Sequence, residues 1–371
     1  MTLFLLTFLT VYSLAHAFFY SRFRVLLPDR MLYHSFFVLF LALMIIAPIC
    51  ARLLERNGHE LPARVAAHIG YIWMGYIFYA FWILLLIGFA GLLFRLVNII
   101  TGSSLPLFMG KKSVLVAVGL AFLINIYGFY EARRIRVERI VIPTAKLPAG
   151  IDRLRIAQIS DIHLGLLVWN GMLHNIMDKV RAENPDILVS TGDMVDGDIA
   201  EPEMLPALFG NMECRYGKYA ITGNHEVYAG LKQSIEVERE LGFVVLRGEV
   251  RNVANVINIA GVDDQAAGAD QNEKAVLDRA DRGLFTLFLK HRPEVKKEYL
   301  GLFDLQLSGH THYGQIYPFR YLSQRIYPMQ NGPYYLEKGS VVYTSRGSGT
   351  WGPPIRVLAP PEVTIIDLVR K

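Results

Sequence analysis

Apolar residues run almost unbroken through the first third of the chain, then give way to short apolar bursts that each end in polar residues. Four stretches, 3–20, 33–54, 66–97 and 113–130, approach or exceed the ~20 residues a helix needs to cross a bilayer. Polar segments 21–30, 55–64 and 101–112 separate them. The third stretch is long enough to tilt or to overrun the hydrocarbon. This pattern predicts a multi-pass membrane domain of four helices over residues 1–132. Trp73, Trp82 and many tyrosines suit the spans and their interfaces. Ala15-His16-Ala17 has the form of a signal-peptidase site, but no basic residue precedes the apolar core, so the first helix is expected to be retained.

Beyond residue 132 the period changes. Ile135, Val137, Ile140 and Ile142 predict a strand within a basic linker, 133–150. Apolar runs at 154–160, 187–190, 219–221, 255–260, 284–289, 305–307, 340–344 and 362–368 read as further strands. Residues 170–183 read as an amphipathic helix, stopped by Asn184-Pro185. A second domain is therefore expected over 151–371.

Charge follows the same division. Residues 1–150 carry 14 Lys and Arg against 5 Asp and Glu, whereas residues 151–371 carry 24 against 28. The basic excess lies with the apolar runs, where arginines answer to headgroups and topology, so a nucleic-acid partner is not expected. On the side shared by the two ends stand Arg52, Arg56, Arg64, Arg133, Arg134, Arg136 and Arg139. The other side has Arg22, Arg24, Arg30, Arg95, Lys111 and Lys112. The balance favours a cytoplasmic second domain. Two distant cysteines, Cys50 and Cys214, give neither a disulfide framework nor a thiolate metal site.

The chemistry gathers where apolar strands stop. Five blocks do so: Asp161-Ile162-His163, Gly192-Asp193, Gly223-Asn224-His225-Glu226, His291, and Gly309-His310-Thr311-His312. Strand ends are where an open sheet binds ligands, because loops there can be polar without disturbing the core. Five of the six histidines after residue 150 fall in these blocks, leaving only His174 outside. Their nitrogen and oxygen donors suit Mn²⁺, Fe²⁺ or Zn²⁺.

In order and spacing the blocks resemble the calcineurin-like metallophosphoesterase family over about residues 151–371. His310-Thr311-His312-Tyr313-Gly314-Gln315, Ser345-Arg346-Gly347-Ser348-Gly349 and Pro361-Glu362 look like a bacterial, membrane-linked subgroup similar to the UDP-2,3-diacylglucosamine pyrophosphatases of lipid A synthesis. The resemblance implies an α/β sandwich of two facing β-sheets flanked by helices. It implies two divalent metal ions, with Mn²⁺ the first expectation. One would be held by Asp161, His163, Asp193 and His312, the other by Asp193, Asn224, His291 and His310, with Asp193 bridging. His225 would protonate the leaving group. Glu226 either orients His225 or supports structure. Asp196 either bonds a ligand histidine or forms a turn. Arg346 is a candidate for binding a substrate phosphate.

The implied activity is hydrolysis of a phosphoester or pyrophosphate at a bacterial inner membrane. The substrate would be a lipid-linked phosphate or nucleotide-lipid such as UDP-2,3-diacylglucosamine, among membrane lipids. Two alternatives are a broad phosphodiesterase of phospholipids or envelope metabolites, and a membrane sensor keeping an inactive hydrolase domain. Residues 313–335, rich in Tyr and Phe with Arg320 and Arg325, are expected to form a membrane-facing cap, or else to pack on the sheet.

Overall fold

Four helices form where the apolar runs lie: α1 (Thr2–Phe23), α2 (Met31–Arg56), α3 (Glu60–Thr101) and α4 (Lys111–Arg133). In this computed structural model residues 2–103, 110–167, 170–197, 199, 205–210, 212–268 and 272–371 are described, so part of the expected 101–112 connection lies outside them. Among the described residues three helices, α2, α3 and α4, are long and apolar enough to cross a membrane by length and composition. The sequence pattern led to four. The difference is α1, which is helical over Thr2–Phe23. Two histidines of the helical region, His16 and His34, have local partners. His16 Nδ1 donates to the Tyr12 carbonyl at 2.7 Å and Trp73 Nε1 donates to His16 Nε2 at 2.8 Å. His34 Nδ1 lies 3.1 Å from the Tyr20 hydroxyl.

The chain divides into two compact units, Met1–Tyr130 with Gly352–Ile355, and Glu131–Trp351 with Arg356–Lys371. In the second unit the strands are β1 (Arg136–Thr144), β2 (Arg153–Ile159), β3 (Ile187–Ser190), β4 (Lys218–Ala220), β5 (Val244–Val245), β6 (Glu249–Val253), β7 (Ile257–Gly261), β8 (Phe285–Leu289), β9 (Leu305–Ser308), β10 (Gly332–Tyr335), β11 (Val341–Thr344) and β12 (Glu362–Arg370). The helices are α5 (Asn170–Glu183), α6 (Leu205–Gly210), α7 (Asn224–Glu240), α8 (Glu273–Leu277) and α9 (Arg320–Ile326).

Two six-stranded mixed sheets result, ordered β1-β12-β2-β3-β4-β5 and β10-β11-β9-β8-β7-β6. Strand residues alternate between two cores, as the twofold period of a strand requires. Leu154, Ile156, Ile187 and Val189 meet Ile257, Ile259, Phe285 and Leu287 between the sheets. Ala157, Ile159 and Leu188 instead pack against α5 and α7 through Ile176, Val180 and Ile235. Phe288 and Val342 face outward onto Val276 and Leu277 of α8. Burial on both faces explains why these strands read as continuous apolar runs.

Parallel pairing of β2, β3 and β4, and of β7, β8 and β9, points their C-terminal ends the same way within each sheet. The polar blocks leave from those ends.

Candidate metal centre

Asp161 and His163 follow β2, Asp193 follows β3, Asn224 opens α7 after β4, His291 follows β8, and His310 and His312 follow β9. Backbone bonds stitch these loops together. Asp161 N donates to Gly192 O at 3.0 Å, His163 N to Asp193 O at 3.0 Å, and Gly309 N to His291 O at 2.9 Å. Two glycines permit the approach. A Cβ on Gly192 (φ 93°) would sit 2.7 Å from His291 Nδ1, and one on Gly309 would collide with Ser160 and Asp161.

The side chains converge in three overlapping groups, each with ligand atoms within 4.8 Å: Asp161, His163 and His312; Asp193, His291 and His310; and His163, Asp193 and His225. His163 Nε2 faces His312 Nε2 at 3.0 Å, and His312 Nε2 is 3.3 Å from Asp161 Oδ1. On the other side His291 Nε2 is 3.2 Å from Asp193 Oδ2 and 3.1 Å from His310 Nδ1.

Neighbouring groups set which ring nitrogen is free. His291 Nδ1 donates to the Thr191 carbonyl at 2.8 Å, leaving Nε2 toward Asp193. His310 Nε2 meets the Tyr327 hydroxyl at 3.1 Å, leaving Nδ1 toward His291. Asn224 Oδ1 is buried and has no hydrogen-bond partner among the described residues. Facing imidazole nitrogens, two buried carboxylates and an unpartnered amide oxygen form a donor set that suits divalent cations.

The electrostatics agree. Burial alone would raise the Asp161 and Asp193 carboxyls, but His312 beside the first and His291 beside the second hold both below the usual carboxylate range. Burial and the neighbouring His225 lower His163 to about 3, and burial with His291 lowers His310 to about 3. His291 goes the other way: despite burial, the Asp193 carboxylate pushes it up to about 10.

A model of the calcineurin-like phosphoesterases matches residues 154–314. A metallophosphoesterase of Aquifex aeolicus is 38% identical over 258 residues, covering 68% of this chain and 98% of that protein. The chain belongs to the calcineurin-like metallophosphoesterase family. A zebrafish protein named as a transmembrane protein with a metallophosphoesterase domain is 32% identical over 276 residues, covering 69% of this chain and 63% of its own length. Among solved structures a 5'-nucleotidase precursor from Thermus thermophilus shares 15% identity over 58% of this chain and 54% of its own, at a TM-score of 0.36, too slight to carry an argument.

For a metallophosphoesterase the remaining site residues are informative. His225 donates its backbone N–H to Asp193 Oδ1 at 2.8 Å, and its Nδ1 lies 2.5 Å from Asp196 Oδ1. Asp196 thus partners His225. Burial lowers the His225 pKa, but Asp193 and Asp196 outweigh it and the net shift is upward. Glu226 makes no bond to the His225 ring among the described contacts. Its carboxylate accepts backbone N–H bonds from Asp193 at 3.0 Å, Val195 at 2.9 Å and Gly223 at 2.6 Å, clamping two ligand loops. Burial and Asp193 raise Glu226 to about 7.

Arg346 stands apart from this cluster. Its guanidinium is engaged by Glu138 at 2.5 Å, by Glu362 at 2.6 Å and by the Pro360 carbonyl at 2.9 Å.

Four further residues escaped the sequence reading. Tyr327 supports His310, and Arg292 reaches the Tyr327 hydroxyl at 3.4 Å while pairing with Asp264 at 2.7 Å. Arg356, fully buried, places Nη2 3.2 Å from His312 Nδ1. Asp264 follows β7, so the strand-end rule would have found it. For Tyr327 and Arg356 no local signal exists.

Proposed function

We propose that this metal-dependent phosphoesterase is a dinuclear hydrolase anchored in the bacterial inner membrane, with its catalytic unit in the cytoplasm and a lipid-linked phosphate as substrate. The observation that carries the dinuclear reading is Asp193: one carboxylate belongs to two of the three ligand groups, with separate oxygens toward His225 N and His291. Asp161, His163 and His312 would complete one position, and Asn224, His291 and His310 the other. Mn²⁺ is our choice for both positions, ahead of Fe²⁺ or Zn²⁺.

When bound, two divalent cations supply charge to the phosphate oxygens and acidify a water. The chain's part is to orient and to move a proton. His225, held through Nδ1 by Asp196, keeps Nε2 for the proton that it would give to the leaving oxygen as the phosphorus–oxygen bond breaks. The rings of Tyr228 and Trp351, centred 5.4 and 5.6 Å from that of His225, shelter it from bulk water.

The lipid-linked substrate is supported by the three apolar helices, since an anchored hydrolase works where its substrate is concentrated. Within that class we put forward UDP-2,3-diacylglucosamine, on the motifs around His310 and Arg346. The test is purified full-length protein assayed with and without chelator against a panel of lipid phosphates and nucleotide-lipids, with products read by mass spectrometry. Manganese-dependent release of a phosphate-bearing product from a lipid substrate is expected. Full activity after metal removal would overturn the dinuclear reading, and turnover of soluble esters alone would overturn the lipid one.

A further inference from the structure

We propose that the outward face of α9 docks on a bilayer surface containing anionic phospholipid. The inference rests on the membrane-anchored reading above and deepens it. Phe319, Leu322 and Ile326 are 45%, 59% and 63% exposed, and their spacing of three and four residues sets them on one helical face. Tyr321, 54% exposed, stands beside them. Singly exposed apolar residues are ordinary, but four within eight consecutive positions form a patch.

Charge complements that patch. The Arg320 guanidinium lies over the rings of Tyr317, Tyr321 and Tyr313, at 4.9, 5.1 and 5.8 Å from their centres. Arg325 is exposed at the other end of the helix. No Asp or Glu occurs between Asp304 and Glu337, although the chain after residue 150 carries more acids than bases. Aromatic and aliphatic side chains with arginines and no acids suit the headgroup layer of an anionic membrane. The chain's own membrane-crossing helices keep this unit at high effective concentration beside a bilayer, which favours that occupant.

The rest of the expected cap behaves differently. Met329 and Tyr334 pack on the outer core of the second sheet, and Tyr335, 76% exposed, stands on β10 rather than on α9. The residue after α9 is Tyr327, whose hydroxyl bonds His310. A docked α9 would therefore place the lipid surface beside the metal ligands.

The experiment uses the full chain, with Cys50 and Cys214 replaced by serine, in phosphatidylcholine vesicles with and without phosphatidylglycerol. An environment-sensitive fluorophore is attached through Leu322→Cys, Ile326→Cys or, as a control, Lys232→Cys, where the side chain is 91% exposed. Blue-shifted emission quenched by spin-labelled lipid is expected at 322 and 326 but not at 232. Arg320→Gln with Arg325→Gln should raise the anionic lipid needed for half-maximal quenching on the order of tenfold. Water-like emission at 322 and 326 would overturn the proposal. So would shielding from aqueous quencher without lipid quenching, which would assign the face to a second protein copy. Hydrolysis of a nitrophenyl ester by the same samples reports on the phosphoesterase reading separately.

Discussion

Arg346→Ala separates two roles for one guanidinium. If Arg346 binds substrate phosphate, its loss should raise KM and leave the fold alone. The structure points to the opposite. Glu362 is fully buried, with Oε1 accepting from the Tyr343 hydroxyl at 2.9 Å and the Thr364 hydroxyl at 3.0 Å. Its Oε2 lies 2.6 Å from Arg346 Nη2, in ion-pair contact although off the line of a hydrogen bond. Burial raises the Glu362 pKa and Arg346 opposes that rise. Removing the arginine leaves a carboxylate in the core without its counter-charge, which costs about 3–5 kcal/mol when a buried pair is broken from one side. For a unit of this size that corresponds to a fall in the melting midpoint of about 6–20 °C. The assay is thermal unfolding of the full chain by circular dichroism, alongside KM for a nitrophenyl phosphate ester. Arg346→Met with Glu362→Gln should recover most of the loss, since the uncompensated charge is then gone. An unchanged midpoint with a tenfold or larger rise in KM would refute the structural role and return Arg346 to the substrate.

Three other outcomes are expected. His225→Ala should cut turnover by roughly 10²–10⁴-fold while elemental analysis still finds metal, whereas Asp193→Ala should lose metal. Tyr327→Phe removes the hydroxyl that fixes His310, so metal affinity by competitive chelation should weaken about 10–100-fold with the melting midpoint of the metal-free protein little changed. Glu238, fully buried with no hydrogen-bond partner on either oxygen among the described residues, has its pKa raised well above normal by burial, then by Glu226 and Asp263. A raised carboxyl stabilises fully only below its unfolded pKa of about 4.3, and that stability is lost as pH rises toward the folded pKa. Glu238→Gln should therefore exceed the parent in denaturant resistance at pH 8 and lose the advantage toward pH 4.

Much of this was legible because both signals are local. The amphipathic stretch 170–183 is α5, bounded by the Asn184-Pro185 stop, and the run 187–190 is β3. Both-face burial made those strands apolar throughout, and strand-end chemistry marked the residues that converge. The 17-residue α7 was missed. It begins inside the Gly-Asn-His-Glu block, and Gly230, at φ 119°, interrupts its helical backbone. The edge strand β6 carries Glu249, Arg251 and Asn252 and gives no apolar run. What remained hidden is non-local. The Asp196–His225 contact joins the β3 and β4 loops, and Arg356 reaches His312 across 44 positions. No window along the chain contains both partners.

The ligand loops also hold strain that the sheets must support. Asp161, His163, Asp193, His310 and His312 have φ of 51°, 56°, 53°, 69° and 47°. Non-glycine residues adopt this left-handed region only a few per cent of the time, at an order of 1–3 kcal/mol each. Five such residues among the seven expected ligands are a property of the site, since most of the unit's backbone lies outside that region. Two features hold them there. The loops bond one another, as in His310 N to Asp161 Oδ1 at 2.9 Å, and Glu226 clips the Asp193 turn from below. Beneath three of the five loops lies a strand whose residues are wholly buried: Ile187–Ser190, Phe285–Leu289 and Leu305–Ser308. In three of the five loops, after β2, β3 and β9, the chain turns sharply just past the strand end, and the left-handed turn does that in one residue. The apolar cores on either side of the sheets provide the stability that this geometry spends.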